Sequence, residues 1–281
     1  MNLKKIYIIC RGRSGGTILS YLFQSLYTNF VPISFESLNK KNMSIENFLI
    51  ENKKIFINSN QMNLYKKLLN KKSLKTENIR VYIDIFSKLS SSVGYKYALF
   101  KITPHKSNLI NNKSLQEIAY DKDSEFFFFF RNIMDIYISA LKAKKLKKWS
   151  VIDTTTMTLN IDKERFYKFY KTYVQWILGN LEILKSTKRV NFFSYEDIFN
   201  DEKKIITKFS ESFNYLIDAY DHGNDYNNTV NLLDNFTKQD KSLNWRNKIN
   251  NCDEIDEFII SKKIELNPRK IISSSDLTNS F

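Results

Sequence analysis

Short, fully apolar segments alternate along the chain with longer segments in which apolar residues recur every three or four positions. Four of the short segments are typical of buried strands in a parallel sheet, because apolar residues fill them with little polar interruption. These predicted strands cover residues 6–10, 97–102, 126–130 and 189–193.

Helical periodicity is clearest directly after the first predicted strand, over residues 17–27. The apolar positions that share one helical face there are Ile18, Leu19, Leu22, Phe23 and Leu26. Further helices are predicted at residues 44–52, 59–70, 80–91, 133–147 and 163–186, and from about residue 201. A repeated order of strand, turn and helix predicts an α/β fold. We expect a P-loop-like, three-layer α/β/α domain over residues 1–266, with a central, mostly parallel sheet and many flanking helices, and a polar tail over residues 267–281.

The composition is that of a globular protein, with 42% hydrophobic and 26% charged residues. A formal net charge of +14 has two interpretations, which are lysine-rich solvated faces and an anionic partner. Lysines are spread along the chain with one dense cluster at residues 142–148, so most of the excess reflects solvated faces. Two cysteines and two histidines provide neither a disulfide framework nor a histidine-rich metal site, and we expect no metal.

The first apolar run spans about five residues, fewer than the ~7 to 15 of a signal peptide. The phenylalanine run at residues 126–130 is far shorter than a membrane span. We therefore expect a cytoplasmic protein without a transmembrane segment. Aromatic residues mostly follow core periodicity, which argues against a nucleic-acid partner. Homo-oligomerisation stays open.

A glycine-containing turn, Arg-Gly-Arg-Ser-Gly-Gly-Thr, follows the first predicted strand. In such a turn the backbone N–H groups surround an anion, and the next helix adds the positive end of its dipole. Arg13 offers a forked, charged donor, and Ser14 and Thr17 offer hydroxyl groups. The alternative is an ordinary turn with incidental glycines, and the G-x-x-x-x-G-K-[ST] and G-x-G-x-x-G patterns are both absent. The candidate phosphate contacts are Arg11, Gly12, Arg13, Ser14, Gly15, Gly16 and Thr17.

A second candidate anion site follows the predicted strand at residues 126–130. Arg131 ends that strand at the carboxyl edge of the sheet, where ligands of open α/β sheets bind. Ser139 lies eight residues further on, within the next predicted helix. The alternatives are an ion pair between Arg131 and Asp135 and a serine that merely fills a helix face. The position of the pair behind the phosphate turn favours anion binding.

The turn and this Arg-x7-Ser pair together resemble sulfotransferases that use 3'-phosphoadenosine-5'-phosphosulfate (PAPS). Arg-Ser-Gly-Gly-Thr is similar to the family's 5'-phosphosulfate loop, whose usual forms are K-S-G-T-T and R-S-G-S-T, and Gly16 departs from it. Arg131 and Ser139 resemble the family's 3'-phosphate site. The resemblance implies PAPS as the cosubstrate and adenosine 3',5'-bisphosphate as the product.

Weaker landmarks resemble the bacterial trehalose-type branch of carbohydrate sulfotransferases, over roughly residues 4–250. They are the segment at residues 140–149, Phe193-Ser194-Tyr195-Glu196-Asp197, Lys238-Gln239-Asp240 and Trp245-Arg246. This branch implies transfer of a sulfuryl group to a hydroxyl of a carbohydrate or glycolipid, or another small-molecule or glycan acceptor, and adds Arg246 as a cosubstrate contact.

Sulfuryl transfer needs a base for the acceptor hydroxyl and cations near the transferring group, and no metal is chemically obligatory. Glu36 is the first candidate base, because its place resembles the branch's G-x-P-x-E segment; a solvated loop carboxylate is the alternative. His105 is the second, by a looser resemblance to the K-T-H segment of the cytosolic branch. Arg13 and Lys101 are candidates to stabilise the transferring group. The alternative function is a P-loop phosphotransferase or NTPase that uses ATP.

Overall fold

The central element of the computed structural model is one sheet of five parallel strands, in the order β2-β3-β1-β4-β5. The strands are β1 (Lys4–Cys10), β2 (Phe30–Phe35), β3 (Tyr97–Ile102), β4 (Ser124–Phe130) and β5 (Val190–Ser194). The structure describes residues 3–16, 18–19, 22–23, 30–35, 83–84, 87–88, 90–91, 94–102, 115–116, 118–121, 124–148, 153–185, 190–199, 204–213, 242 and 244–275. The predicted α/β class with a parallel sheet is confirmed.

Helices precede and follow the strands as the periodicity predicts. A helix begins at residue 16 and is described at residues 16, 18, 19, 22 and 23. The helices with defined bounds are α1 (Ile133–Leu146), α2 (Lys163–Leu184), α3 (Tyr195–Phe199), α4 (Ile205–Phe213), α5 (Cys252–Ser261) and α6 (Pro268–Ser273), and a 3-10 helix spans Trp245–Lys248. The predicted helices at 44–52 and 59–70 lie outside the described residues. No helix in the described part of the chain is long and apolar enough to cross a membrane.

The three central strands, β3, β1 and β4, are buried on both faces, which explains their apolar sequences. In β4, Phe126, Phe128 and Phe130 pack with α2 in one apolar cluster. Phe127 and Phe129 pack with the first helix and α4 in a second cluster on the other face. Because side chains alternate between the faces of a strand, five consecutive phenylalanines supply both layers of core at once.

Two parts of the fold differ from the sequence-based expectation. The segment Phe30–Phe35, for which no strand was predicted, pairs with β3 and places Pro32 opposite Leu99. β2 is an edge strand, where proline is tolerated because one side of the strand needs no ladder hydrogen bond.

At the carboxyl end, the expected polar tail contains α6, whose Ile271 and Ile272 are buried against the core. Two adjacent isoleucines in a polar stretch give too short a pattern to predict a helix.

Candidate nucleotide-binding site

The order in which strands are added to the sheet reverses at its centre, between β1 and β4. The chain leaves β1 toward the side that holds β3 and β2, and leaves β4 toward β5. Ligands of open α/β sheets bind in the crevice outside the carboxyl ends of strands at such a reversal. Cys10 of β1 lies in register with Phe129 of β4. The glycine turn and Arg131 therefore flank one crevice.

Residues 11–16 form a tight loop over the carboxyl end of β1. Arg13 and Gly15 have positive φ angles of 73° and 93°. The N–H and hydroxyl groups of Ser14 both donate to the Arg11 carbonyl, at 3.2 and 2.7 Å. The Gly15 carbonyl accepts the helical hydrogen bond of Leu19 at 3.1 Å, so the helix starts at the loop itself. The first turn of a helix has N–H groups without intrahelical partners, and these are the usual donors of an anion site.

Ser14, a predicted phosphate contact, makes its side-chain hydrogen bond within the loop. Its side chain is fully buried, and its hydroxyl proton is directed to the Arg11 carbonyl. A hydroxyl has only one proton to donate. This hydrogen bond closes the loop, and contact of Ser14 with the cosubstrate stays a prediction.

The two glycines that end the loop are pressed against other side chains. A Cβ atom at Gly15 would lie 2.5 and 2.8 Å from two ring carbons of Tyr195. A Cβ atom at Gly16 would lie 2.5 Å from the Cys10 sulfur. All three distances are well inside ordinary contacts of roughly 3.5–4.0 Å. The Cys10 sulfur therefore accounts for glycine at position 16, where the resembled loop has Ser or Thr.

Arg13 and Ser139 join the two predicted anion sites directly. Arg13 Nε donates to Ser139 Oγ at 3.0 Å, across 126 residues of sequence. Burial lowers the pKa of Arg13, and the nearby charge of Arg131 lowers it further. Two guanidinium groups close together in a partly buried place create a positive potential that an anion would relieve. The two sites thus form one contiguous basic surface.

Arg131 lies over an aromatic ring and, within the described part of the chain, has a buried donor without a hydrogen-bond partner. Its guanidinium carbon lies 4.2 Å from the centroid of the Tyr195 ring. Its Nε is buried and has no hydrogen-bond partner among the described residues. The alternative of an ion pair with Asp135 is wrong, because Asp135 pairs with Lys248. An unmade buried hydrogen bond costs about 1–3 kcal/mol, so this donor is suited to a ligand oxygen.

Arg11 supplies a second donor of this kind at the same edge. Its guanidinium carbon lies 4.9 and 5.0 Å from the ring centroids of Phe169 and Tyr173 on α2. Its Nη1 is buried without a hydrogen-bond partner in the described ranges, and burial lowers the pKa of Arg11. Arg11 therefore brings a further positive charge to the base of the loop.

The start of α1 links Arg131 to the end of β5. Asn132 caps α1, and its side chain accepts hydrogen bonds from the N–H groups of Met134 and Asp135, at 3.0 and 3.3 Å. Its own N–H donates to Glu196 Oε1 at 3.0 Å. Burial raises the pKa of Glu196, an effect larger than the lowering by this hydrogen bond and by Arg131.

From the sequence, Tyr195 and Glu196 are recognisable only as part of a segment that resembles the trehalose-type branch. Their position directly after a predicted parallel strand was the available signal, since all such strands end at the same edge of the sheet. Their contacts with Gly15, Arg131 and Asn132 make them part of the site.

The structure describes two other candidate residues, Lys101 and Arg246. Lys101 lies on β3 beside Ile8, is 4% exposed, and its Cδ is 3.4 Å from the Cβ position at Gly16. It therefore lies against the loop, and its role in catalysis stays a prediction. Arg246 instead donates two hydrogen bonds to Asp256 on α5, both at 2.7 Å, so its contact with the cosubstrate also stays a prediction.

Three candidate residues, Thr17, Glu36 and His105, lie outside the described residues. Within the described ranges, no three His, Cys, Asp or Glu side chains gather as a metal-ligand group. The strands that precede the two candidate bases, β2 and β3, end side by side at Phe35 and Ile102.

The fold is similar to that of a solved sulfotransferase domain. No protein-family profile and no curated protein matches the chain. Among solved structures, it is similar to the "Sulfotransferase Domain from the Curacin Biosynthetic Pathway", with a TM-score of 0.51, 12% sequence identity and 97% of each chain covered. At this identity the likeness concerns the fold, and function depends on the residues of the site.

Proposed function

We propose that the protein is a sulfotransferase that transfers a sulfuryl group from PAPS to the hydroxyl of an acceptor. The observation that carries this proposal is the hydrogen bond between Arg13 and Ser139, with Arg131 nearby. A nucleotide with phosphates at the 5' position alone needs only the loop. A second basic group in contact with the loop suits a nucleotide that has phosphates at both the 5' and 3' positions of one ribose.

The residues of the crevice fit such a nucleotide. The loop N–H groups and Arg13 would hold the 5'-phosphosulfate, and Arg131 and Ser139 would hold the 3'-phosphate. The buried, unpaired N–H of Arg131 supports this assignment, because a phosphate oxygen would satisfy it. The several negative charges of the cosubstrate would offset the repulsion between the positive charges of Arg13 and Arg131.

In the proposed reaction the acceptor oxygen attacks sulfur and the bond from sulfur to the bridging phosphate oxygen breaks. The acceptor proton passes to a base, and adenosine 3',5'-bisphosphate leaves. Arg13 is suited to stabilise the negative charge that develops on the bridging oxygen, and Lys101 adds a cation beside the loop. Glu36 is the first candidate for the base and His105 the second.

The remaining proposals rest on the sequence. The resemblance to the trehalose-type branch favours a carbohydrate or glycolipid acceptor. We also propose that residues 1–266 form one domain, on which α6 packs, since the described core clusters join strands and helices near both ends of that range.

Thermal unfolding with added nucleotides tests the proposal. A ligand at one hundred times its Kd stabilises the native state by about 2.7 kcal/mol. That stabilisation corresponds to a rise in Tm of roughly 5–10 °C. We expect this rise with adenosine 3',5'-bisphosphate at lower concentrations than with ATP, with or without Mg²⁺. A preference for Mg²⁺-ATP would instead support a phosphotransferase or NTPase.

The variant Arg131→Ala tests whether Arg131 belongs to the second anion site. We expect it to bind adenosine 3',5'-bisphosphate roughly 10- to 100-fold more weakly, the size of a lost charge-assisted contact. Arg165→Ala is the matched control, since it removes the same charge from a side chain that is 83% exposed on α2. Equal affinities of the two variants would refute the assignment of Arg131.

A further inference from the structure

The ring of Tyr195 lies between the two halves of the site. Its edge touches the loop, because a Cβ at Gly15 would lie 2.5 Å from ring carbon Cδ2. The guanidinium of Arg131 lies over the same ring, at 4.2 Å. One side chain therefore contacts both the loop that would hold the 5' end of the nucleotide and the arginine that would hold the 3' end.

The ring is itself held firmly in place. Tyr195 is 7% exposed and stacks on Phe199 with a centroid distance of 4.6 Å. The next residue, Glu196, accepts the N–H of Asn132. Asp197 accepts hydrogen bonds from the N–H of Ser194, at 3.0 Å, and from Arg269 of α6, at 2.6 Å. All of α3 is thus fastened to β5, to α1 and to α6.

We propose that Tyr195 is a positioning residue that fixes Arg131 at a set distance from the loop, and thereby gives the site its preference for a nucleotide with a 3'-phosphate. The inference rests on the proposed function. A free arginine side chain has many rotamers, and ordering it on binding weakens affinity. A guanidinium that already lies on a fixed aromatic ring has lost that freedom before the nucleotide arrives.

A merely structural role for this aromatic residue has different consequences. Tyr195 belongs to the apolar cluster on one face of the sheet, so its removal will lower the free energy of unfolding in any case. Loss of packing alone would change the affinity for all nucleotides alike. Loss of the position of Arg131 would change the affinity for the 3'-phosphate only.

The readout is therefore a ratio of two dissociation constants, for adenosine 5'-monophosphate and for adenosine 3',5'-bisphosphate, measured by calorimetry on the full chain. In Tyr195→Phe the ring remains, and we expect the wild-type ratio within about twofold. In Tyr195→Leu the ring is lost, and we expect the ratio to fall roughly tenfold, with little change for the 5'-monophosphate. Phe209→Leu is the control, since it removes a buried ring from the same cluster.

The outcomes separate the two proposals. A wild-type protein that shows no preference for the bisphosphate overturns the proposed function, and this inference with it. A wild-type preference that persists undiminished in Tyr195→Leu, or that is lost in Tyr195→Phe or in Phe209→Leu, overturns the role of Tyr195 alone. If Tyr195→Leu does not fold, Tyr195→Met provides the same comparison, because its flexible chain fills the space without a ring.

Discussion

The contact between Gly16 and Cys10 makes a quantitative prediction for stability. In Gly16→Ala the new methyl group would lie 2.5 Å from the Cys10 sulfur, which is itself buried. The methyl group would thus lie about 1–1.5 Å closer to the sulfur than in ordinary contacts of about 3.5–4.0 Å. Overpacking of this kind typically costs about 1–3 kcal/mol. The better helix propensity of alanine offsets at most about 1 kcal/mol of it.

The compensating substitution is Cys10→Ala, which removes the sulfur from beneath the loop. Alone it should cost about 1 kcal/mol, as for other deletions of one buried heavy atom. In the double variant the methyl group at position 16 occupies the space that the sulfur vacates. We therefore expect the double variant to be more stable than the sum of the two single effects by about 1–2 kcal/mol, which is within the range for residues in contact.

Thermal unfolding followed by circular dichroism measures these differences, at roughly 2–4 °C per kcal/mol for a chain of this size. Gly12→Ala is the matched control, because a Cβ there meets nothing within 4 Å. It should lie within about 0.5 kcal/mol of the wild type. A Gly16→Ala variant as stable as Gly12→Ala, or two single effects that simply add, would refute the steric explanation for glycine at position 16.

Two further predictions concern buried charges. Burial raises the pKa of Glu196 above the roughly 4.3 of a glutamate in an unfolded chain. The folded protein therefore favours the protonated carboxyl. The stability that this protonation contributes is complete below about pH 4 and is lost as the pH rises through the raised pKa. The stability advantage of Glu196→Gln over the wild type, measured by urea unfolding, should therefore grow from pH 4 to pH 7, and a constant difference would contradict this. Lys248→Ala leaves Asp135 buried without its partner and should cost about 3–5 kcal/mol in the same assay. Arg269→Ala breaks the ion pair with Asp197, in which the arginine is 54% exposed, and should cost at most about 1 kcal/mol. Equal losses of stability in Lys248→Ala and Arg269→Ala would argue against burial as the cause of the larger cost.

Local patterns were sufficient to predict the framework of the site. Five consecutive phenylalanines, an arginine and a helical pattern predict β4, Arg131 and α1 in the right order, and the glycine turn after β1 is equally local. The carboxyl ends of parallel strands lie at one edge of the sheet, where ligands bind, so the sequence alone could assign the glycine turn and Arg131 to one crevice.

The contacts that complete the site could not be predicted in this way. The bond from Arg13 to Ser139 spans 126 residues, and that from Asn132 to Glu196 spans 64. Periodicity reports which face of an element is buried and carries no information about its partner. The steric reason for Gly16 is of the same kind, since it depends on how the loop folds back over Cys10. β2 was missed because Pro32 argues against a strand unless its edge position is known.

The strand order has a consequence for how the protein folds. β1 is central, and both of its neighbours come from much later in the chain, so the loop it carries meets Arg131 only after long stretches of chain have closed. Closure of long loops is entropically costly and slow. Competence to bind nucleotide should thus arise late in folding, and a bound nucleotide should protect the central strands from hydrogen exchange more than it protects the edge strands β2 and β5.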